Sequence, residues 1–294
     1  SSVHLLAQFH KIVRLYATFL LSLAMHPIPI SSLDDPRVST FAALPRRNAQ
    51  DGRFVVEGEW LVQRICRSRY RVDAILCGEP QVDRIRPFVP ETAAWYVMTK
   101  ALMDRLLGFN FHRGVLASAT RDPIRDIATV IPPTDAGWTI VGCPEIADPV
   151  NLGRILRLSA GFGARGVLIP AGGADPFSRQ ALRVSMGAPF QMPVVVTDNF
   201  TADLQRLRQA HGAELAASVL DSKALPLGAY RRPSRLCLLL GSEGGGLSDE
   251  MKTCCDVQLT IPMRSGVDSF NVADACAIFL YQLCPADSEP RSGS

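Results

Sequence analysis

Glu243 stands between glycine-rich flanks in LCLLLGSEGGGLSDE, residues 236–250, where an apolar run passes straight into a loop and then a capped helix. Glycines there leave backbone amides open to a ligand, and a carboxylate among them is more than a flexible turn requires. A second set of polar side chains lies in IPMRSGVDSFNVADACAIFLYQL, residues 261–283. Pro262 and Gly266 impose an irregular path, and Ser269 and Asn271 fall where an apolar helix begins. Either can satisfy the free amides of that helix, but capping does not account for both, nor for so long a loop. A third set lies in DPVNLGRILRLSAGFGA, residues 148–164, where Asn151 and Arg157 are six apart, less than two turns of helix, and Arg154 and Arg157 share a face. Hydrogen-bonding groups, one carboxylate and arginine are the means of binding and orienting a polar ligand.

Two familiar glycine signatures are excluded by their context. GFGARG, residues 161–166, has the G-x-G-x-x-G spacing, but a helix precedes it and the strand GVLIP follows, the reverse of a dinucleotide-binding turn. It reads as a helix C-cap and turn. The loop at Glu243 lacks the Gly-Lys-Ser/Thr end of a phosphate-binding P-loop. The eight cysteines form no C-x-x-C pair and no spaced Cys/His set, so no metal is expected. Several sit in apolar runs such as LCLLLG and ACAIFLYQL, the pattern of reduced core thiols in a cytoplasmic protein.

The elements that must position these loops alternate. From Trp138, the runs WTIVGC, GVLIP, PVVVT, ELAASVL, LCLLLG and VQLTIPM read as strands. They are separated by the helical stretches NLGRILRLSAGFGA, PFSRQALRVSMGAPF, TADLQRLRQAHG and LSDEMKTCC and followed by the closing helix. This is the pattern of an α/β domain with a mostly parallel sheet. Residues 46–119 read as a smaller mixed α/β domain, with RFVVEGEWLVQRI as strand and helix, then VDAILCG and RGVLASAT as strands. The proline-bearing RDPIRDIATVIPPTDAG marks a linker.

A 294-residue chain that is 47% hydrophobic and 20% charged can bury two ordinary cores and is too apolar for extended disorder. The net charge of +3 does not announce nucleic acid, but its distribution is uneven. Residues 1–122 hold 16 Lys and Arg against 11 Asp and Glu, and the remainder holds 15 against 17. Near the start, HLLAQFHKIVRLYATFLLSLAMHPIPI is interrupted by His10, Lys11 and Arg14, and its clean run from Leu15 to Met25 is about half a membrane span. No A-x-A cleavage site follows, so the stretch reads as an extension ahead of Met25 or an amphipathic tail, with no membrane partner.

Together and in order, DPVNLGRILR, LLLGSEGGGLS and IPMRSGVDSFNVADACAIFLY resemble the three motifs of the SpoU/TrmH family of RNA ribose 2′-O-methyltransferases, within the SPOUT superfamily. RFVVEGEWLVQRI and HRGVLA resemble the L30e-like RNA-binding domain that many members carry upstream. The resemblance implies a SPOUT domain with a deep trefoil knot, S-adenosyl-L-methionine as cofactor, a homodimer, and methyl transfer to a ribose 2′-hydroxyl of RNA. Ribosomal RNA is the expected substrate; transfer RNA, or a non-catalytic RNA-binding or ribosome-assembly role, are the alternatives. With it, the chain divides into 1–30 as a non-native or poorly ordered extension, 31–121 as the L30e-like domain of the resemblance and 122–137 as the linker. The methyltransferase domain would then span 138–285, with a disordered tail over 286–294. By position it assigns catalytic roles to Asn151, Arg157, Glu243, Ser269 and Asn271, and cofactor contacts to Ser218, Gly241, Ile261 and Phe270. The chain departs from the family's common third motif at Phe270 and Ala273, and carries Ser242 where asparagine is frequent in the second.

Overall fold

Alternating apolar side chains favour strands that bury one or both faces, and the chain divides into two compact units, residues 1–121 and 122–294. The computed structural model describes residues 26–42, 52–133, 136–264 and 269–284. The expected tail and most of the expected N-terminal extension lie outside the described residues.

The first unit comprises β1 (Ile28–Pro29), α1 (Ser39–Ala42), β2 (Arg53–Glu57), α2 (Glu59–Cys66), β3 (Val72–Gly78), α3 (Val82–Ile85), β4 (Ala94–Met98), α4 (Lys100–Leu107) and β5 (Val115–Thr120). Its sheet runs β1-β4-β3-β5-β2, with β1, β4 and β3 parallel and β5 antiparallel to both β3 and β2. The end of the expected extension belongs to this sheet: Ile28 pairs with Tyr96, and Ile30 is buried. Thr99 starts α4 by accepting the Leu102 N–H, and Gly108, at φ +77°, ends it in the left-handed conformation.

The second unit comprises β6 (Trp138–Gly142), α5 (Pro149–Gly161), β7 (Gly166–Pro170), α6 (Arg179–Val184), β8 (Val194–Thr197), α7 (Phe200–His211), β9 (Glu214–Ser218), β10 (Leu225–Pro226), β11 (Arg235–Leu239), α8 (Asp249–Thr253), β12 (Val257–Thr260) and α9 (Val272–Leu283). Its seven strands run β10-β12-β9-β11-β6-β7-β8, and every pairing is parallel. Both faces are buried, which is why the strands read as continuous apolar runs. On β11, Leu236 and Leu238 join Leu152, Leu156 and Phe279 on one face. Cys237 and Leu239 join Leu204, Leu207 and Met251 on the other.

Part of the segment expected as a linker is built into this unit. Ile124 bridges Val195, and Ile127 and Val130 are buried against the sheet. The G-x-G-x-x-G stretch is a turn, as its context predicts: α5 ends at Gly161, Gly163 takes φ +76°, and Gly166 opens β7. One helix is shorter than its periodicity suggests. PFSRQALRVSMGAPF is helical only over Arg179–Val184, because Met186 and Gly187 turn to positive φ and Pro189 opens a separate 3-10 turn.

Candidate active site

The carboxyl ends of the adjacent strands β12, β9 and β11 open on one cavity of about 350 Å³. Crevices in open parallel sheets lie at that end of the strands, and the volume is within the ~300–1,000 Å³ usual for small-molecule sites. Six residues singled out in the sequence line it: Ser218 at the end of β9, Gly241 and Glu243 after β11, and Ile261, Ser269 and Phe270 between β12 and α9. Leu220, Val272 and Phe279 add apolar wall, so the cavity combines apolar and polar lining.

The loop after β11 is closed by its own backbone. Ser242 N–H donates to the Gly246 carbonyl and Gly246 N–H donates back to Ser242, each at 3.0 Å. Gly246 takes φ +66°, and a Cβ on Gly241 would stand 2.2 Å from the Gly246 carbonyl carbon. Glycine is needed at the first for its conformation and at the second for the close approach. Glu243 is carried, exposed, at the tip. Ser248 then starts α8 by accepting the Met251 N–H, while its own N–H donates to Glu145 Oε1.

Asn151 and Asn271 are not part of the cavity wall but are joined to each other. Asn271 caps α9, its Oδ1 accepting the Ala273 N–H at 2.9 Å, which accounts for one polar residue of that loop as a cap. Its Nδ2 donates to Asn151 Oδ1 at 3.2 Å across 120 residues of sequence. Asn151 is 4% exposed, on the first turn of α5. Ser269 and Phe270, immediately before Asn271, connect this pair to the cavity. Arg157 is not brought in: it is exposed on α5 and has no hydrogen-bond or ion-pair partner among the described residues. Gly266 lies outside the described residues.

Several polar residues at the site carried no sequence assignment. Asp148 caps α5 by accepting the Val150 and Asn151 N–H groups, and the Asp-Pro pair at 148–149 was a readable helix start. The Val150 N–H first, then the Asn151 side-chain amide and N–H, hold its carboxyl below the usual range. Arg154 binds Asn271 and Asp274, and Asp221, Lys252 and Gln258 line the cavity. No spacing in the sequence marks Asp221, Lys252 or Gln258. Among the described residues no group of three His, Cys, Asp or Glu side chains could hold a metal ion, and no helix is long and apolar enough to cross a membrane. All eight cysteines are free, and burial pushes Cys143 up to about 12.

Residues 139–281 match the SpoU rRNA Methylase family. An uncharacterized tRNA/rRNA methyltransferase of Mycobacterium bovis is 34% identical over 260 residues, covering 85% of this chain and 88% of that one. A 23S rRNA (guanosine-2′-O-)-methyltransferase of Acinetobacter baylyi is 26% identical over 185 residues, covering 62% of this chain and 74% of that one. The solved AdoMet-bound rRNA methyltransferase of Sinorhizobium meliloti aligns with a TM-score of 0.75 at 24% identity, over 86% of this chain and 96% of that one, a likeness of fold.

Proposed function

This chain belongs to the SpoU rRNA methylase family, and from that membership we propose how its own residues methylate a ribose 2′-hydroxyl, with ribosomal RNA as the substrate. It is an S-adenosyl-L-methionine-dependent RNA methyltransferase. The observation that carries the mechanism is the cavity at the ends of β9, β11 and β12, with the Asn151–Asn271 pair beside it. The cavity's volume and mixed lining support the reading that it holds the cofactor, with Ser218, Gly241, Ile261 and Phe270 as the contacts. When bound, the cofactor supplies a methyl group on a sulfonium, already activated toward an oxygen nucleophile.

The protein's task is then to align the 2′-oxygen and ease loss of its proton. Arg157 serves as a clamp on the adjacent phosphate that stabilises the forming alkoxide, because a guanidinium stays protonated and is a poor literal base. Its exposure leaves the side chain available for an RNA phosphate. Asn151, Glu243 and Ser269 orient it and the ribose, and Asn271 holds Asn151.

The first unit supplies RNA contact in this reading, as an L30e-like domain. It carries the basic excess of the chain, and its surface pairs arginines with aromatic rings: Arg64 lies 4.2 Å from the centroid of the 54%-exposed Trp60, and Arg67 lies 4.6 Å from that of Phe88. Such pairs offer charge to phosphate and a plane to an unstacked base. We propose the knot of the resemblance for the second unit, and a homodimer on the α5–α9 face. Exposed Tyr281 there meets Phe162 edge-on and Ile278 is also exposed. The free thiols accord with a cytoplasmic enzyme.

Labelled methyl transfer from S-adenosyl-L-methionine to separated ribosomal and transfer RNA, each taken from cells lacking the enzyme, tests the substrate. Label in ribosomal RNA is expected. Label confined to transfer RNA overturns that substrate, and cofactor binding without label in either fraction favours an RNA-binding factor.

A further inference from the structure

Asn151 and Asn271 have amide groups whose two ends differ only in what they can donate, so their usefulness at a site depends on which end faces which neighbour. Here the partners of both ends of the Asn271 amide are fixed. Arg154 on α5 donates from Nη1 to Asn271 Oδ1 at 2.9 Å, and the Ala273 N–H donates to the same oxygen at 2.9 Å. Guanidinium and backbone N–H are donors only, so the Asn271 carbonyl must face them. Its Nδ2 is thereby turned to Asn151 Oδ1 at 3.2 Å. Asp148, which caps the same helix, accepts the backbone N–H groups of Val150 and Asn151. Arg154 is itself held, its Nη2 in a short ion pair with Asp274 one turn into α9.

The donors thus run one way, from Arg154 to Asn271 to Asn151. Reversing either amide would set an NH₂ group against another donor. We propose that Arg154 is a positioning residue for the methyl transfer, fixing the amide orientations of Asn271 and, through it, of Asn151. The proposal rests on the functional reading above and adds a residue that reading does not use. Arg154 and Arg157 lie on the same helix but do different work: Arg154 is spent within the protein, whereas Arg157 has no partner among the described residues.

The test compares wild type with Arg154→Met and Arg154→Lys. It measures kcat, the dissociation constant for S-adenosyl-L-methionine, thermal melting, and side-chain amide hydrogen exchange at Asn151 and Asn271 by NMR on the ligand-free protein. Loss of a charge-assisted hydrogen bond predicts that Arg154→Met lowers kcat by about tenfold or more, with cofactor affinity within about twofold and faster amide exchange at Asn271. Arg154→Lys can donate one bond but not the fork to both Asn271 and Asp274, so it restores part of kcat and of the protection. Wild-type kcat and exchange in Arg154→Met would overturn the proposal. So would a loss of kcat that follows melting and cofactor affinity and is not rescued by lysine. If wild type transfers no methyl to RNA, the functional reading fails, and the exchange measurement still decides whether Arg154 sets the two amides.

Discussion

Arg157 and Asp148 mark opposite uses of charge on one helix. Arg157 is exposed and unpaired among the described residues, so its removal costs the fold little. If it stabilises the alkoxide, Arg157→Ala lowers kcat by roughly 100-fold or more, the scale of a lost oxyanion donor, with cofactor affinity unchanged by calorimetry. Asp148 is structural as a cap. Asp148→Ala should destabilise the protein by about 1 kcal/mol in a denaturant titration. Because the folded pKa of Asp148 is depressed, its contribution is present above the ordinary carboxylate value and is lost as pH falls through the folded one. The stability difference between Asp148→Ala and wild type should therefore shrink in acid and stay constant from pH 5 to 8.

At the scale of elements, the cavity depends on a loop whose backbone nearly touches itself. Gly241→Ala would drive a methyl group into the Gly246 peptide, so the loop must open. Overpacking of this kind costs about 1–3 kcal/mol, which predicts cofactor affinity weakened by about tenfold or more. Melting temperature should change less, since the loop tip is exposed. The three loops were legible in the sequence because glycine, proline and misplaced polar residues betray backbone that is neither strand nor helix. Apart from the two-residue β10, the strands of the second unit were legible as apolar runs, and a mostly parallel pairing followed from the alternation with helices. Their lateral order β10-β12-β9-β11-β6-β7-β8 was not, since period says which residues face a core but not which strand lies alongside. Nor was the Arg154 relay, whose contacts span 117 and 120 residues, so only the packing of α9 on α5 reveals them. The end of PFSRQALRVSMGAPF was misjudged because positive φ at Met186, a residue that rarely adopts it, overrides helical spacing.

For the whole molecule, burial of its thiols sets a limit on alkaline stability. Burial raises Cys77 to about 11 and Cys66 and Cys143 to about 12, against an ordinary 9.0. Groups with raised folded pKa contribute stability fully present below the unfolded value and lost as pH rises through the folded one. Denaturant midpoints should therefore hold to about pH 8 and fall between pH 9 and 12. Alkylation at pH 8 should spare Cys77 and Cys143 until the protein unfolds. On the proposed function, this molecule places a methyl group on a ribose oxygen. The most direct test is nucleoside analysis of RNA labelled by wild type and by Arg157→Ala, each first shown to bind S-adenosyl-L-methionine. A 2′-O-methylnucleoside formed by wild type and lost in Arg157→Ala is the predicted result; a base-methylated nucleoside, or undiminished labelling by Arg157→Ala, would contradict it.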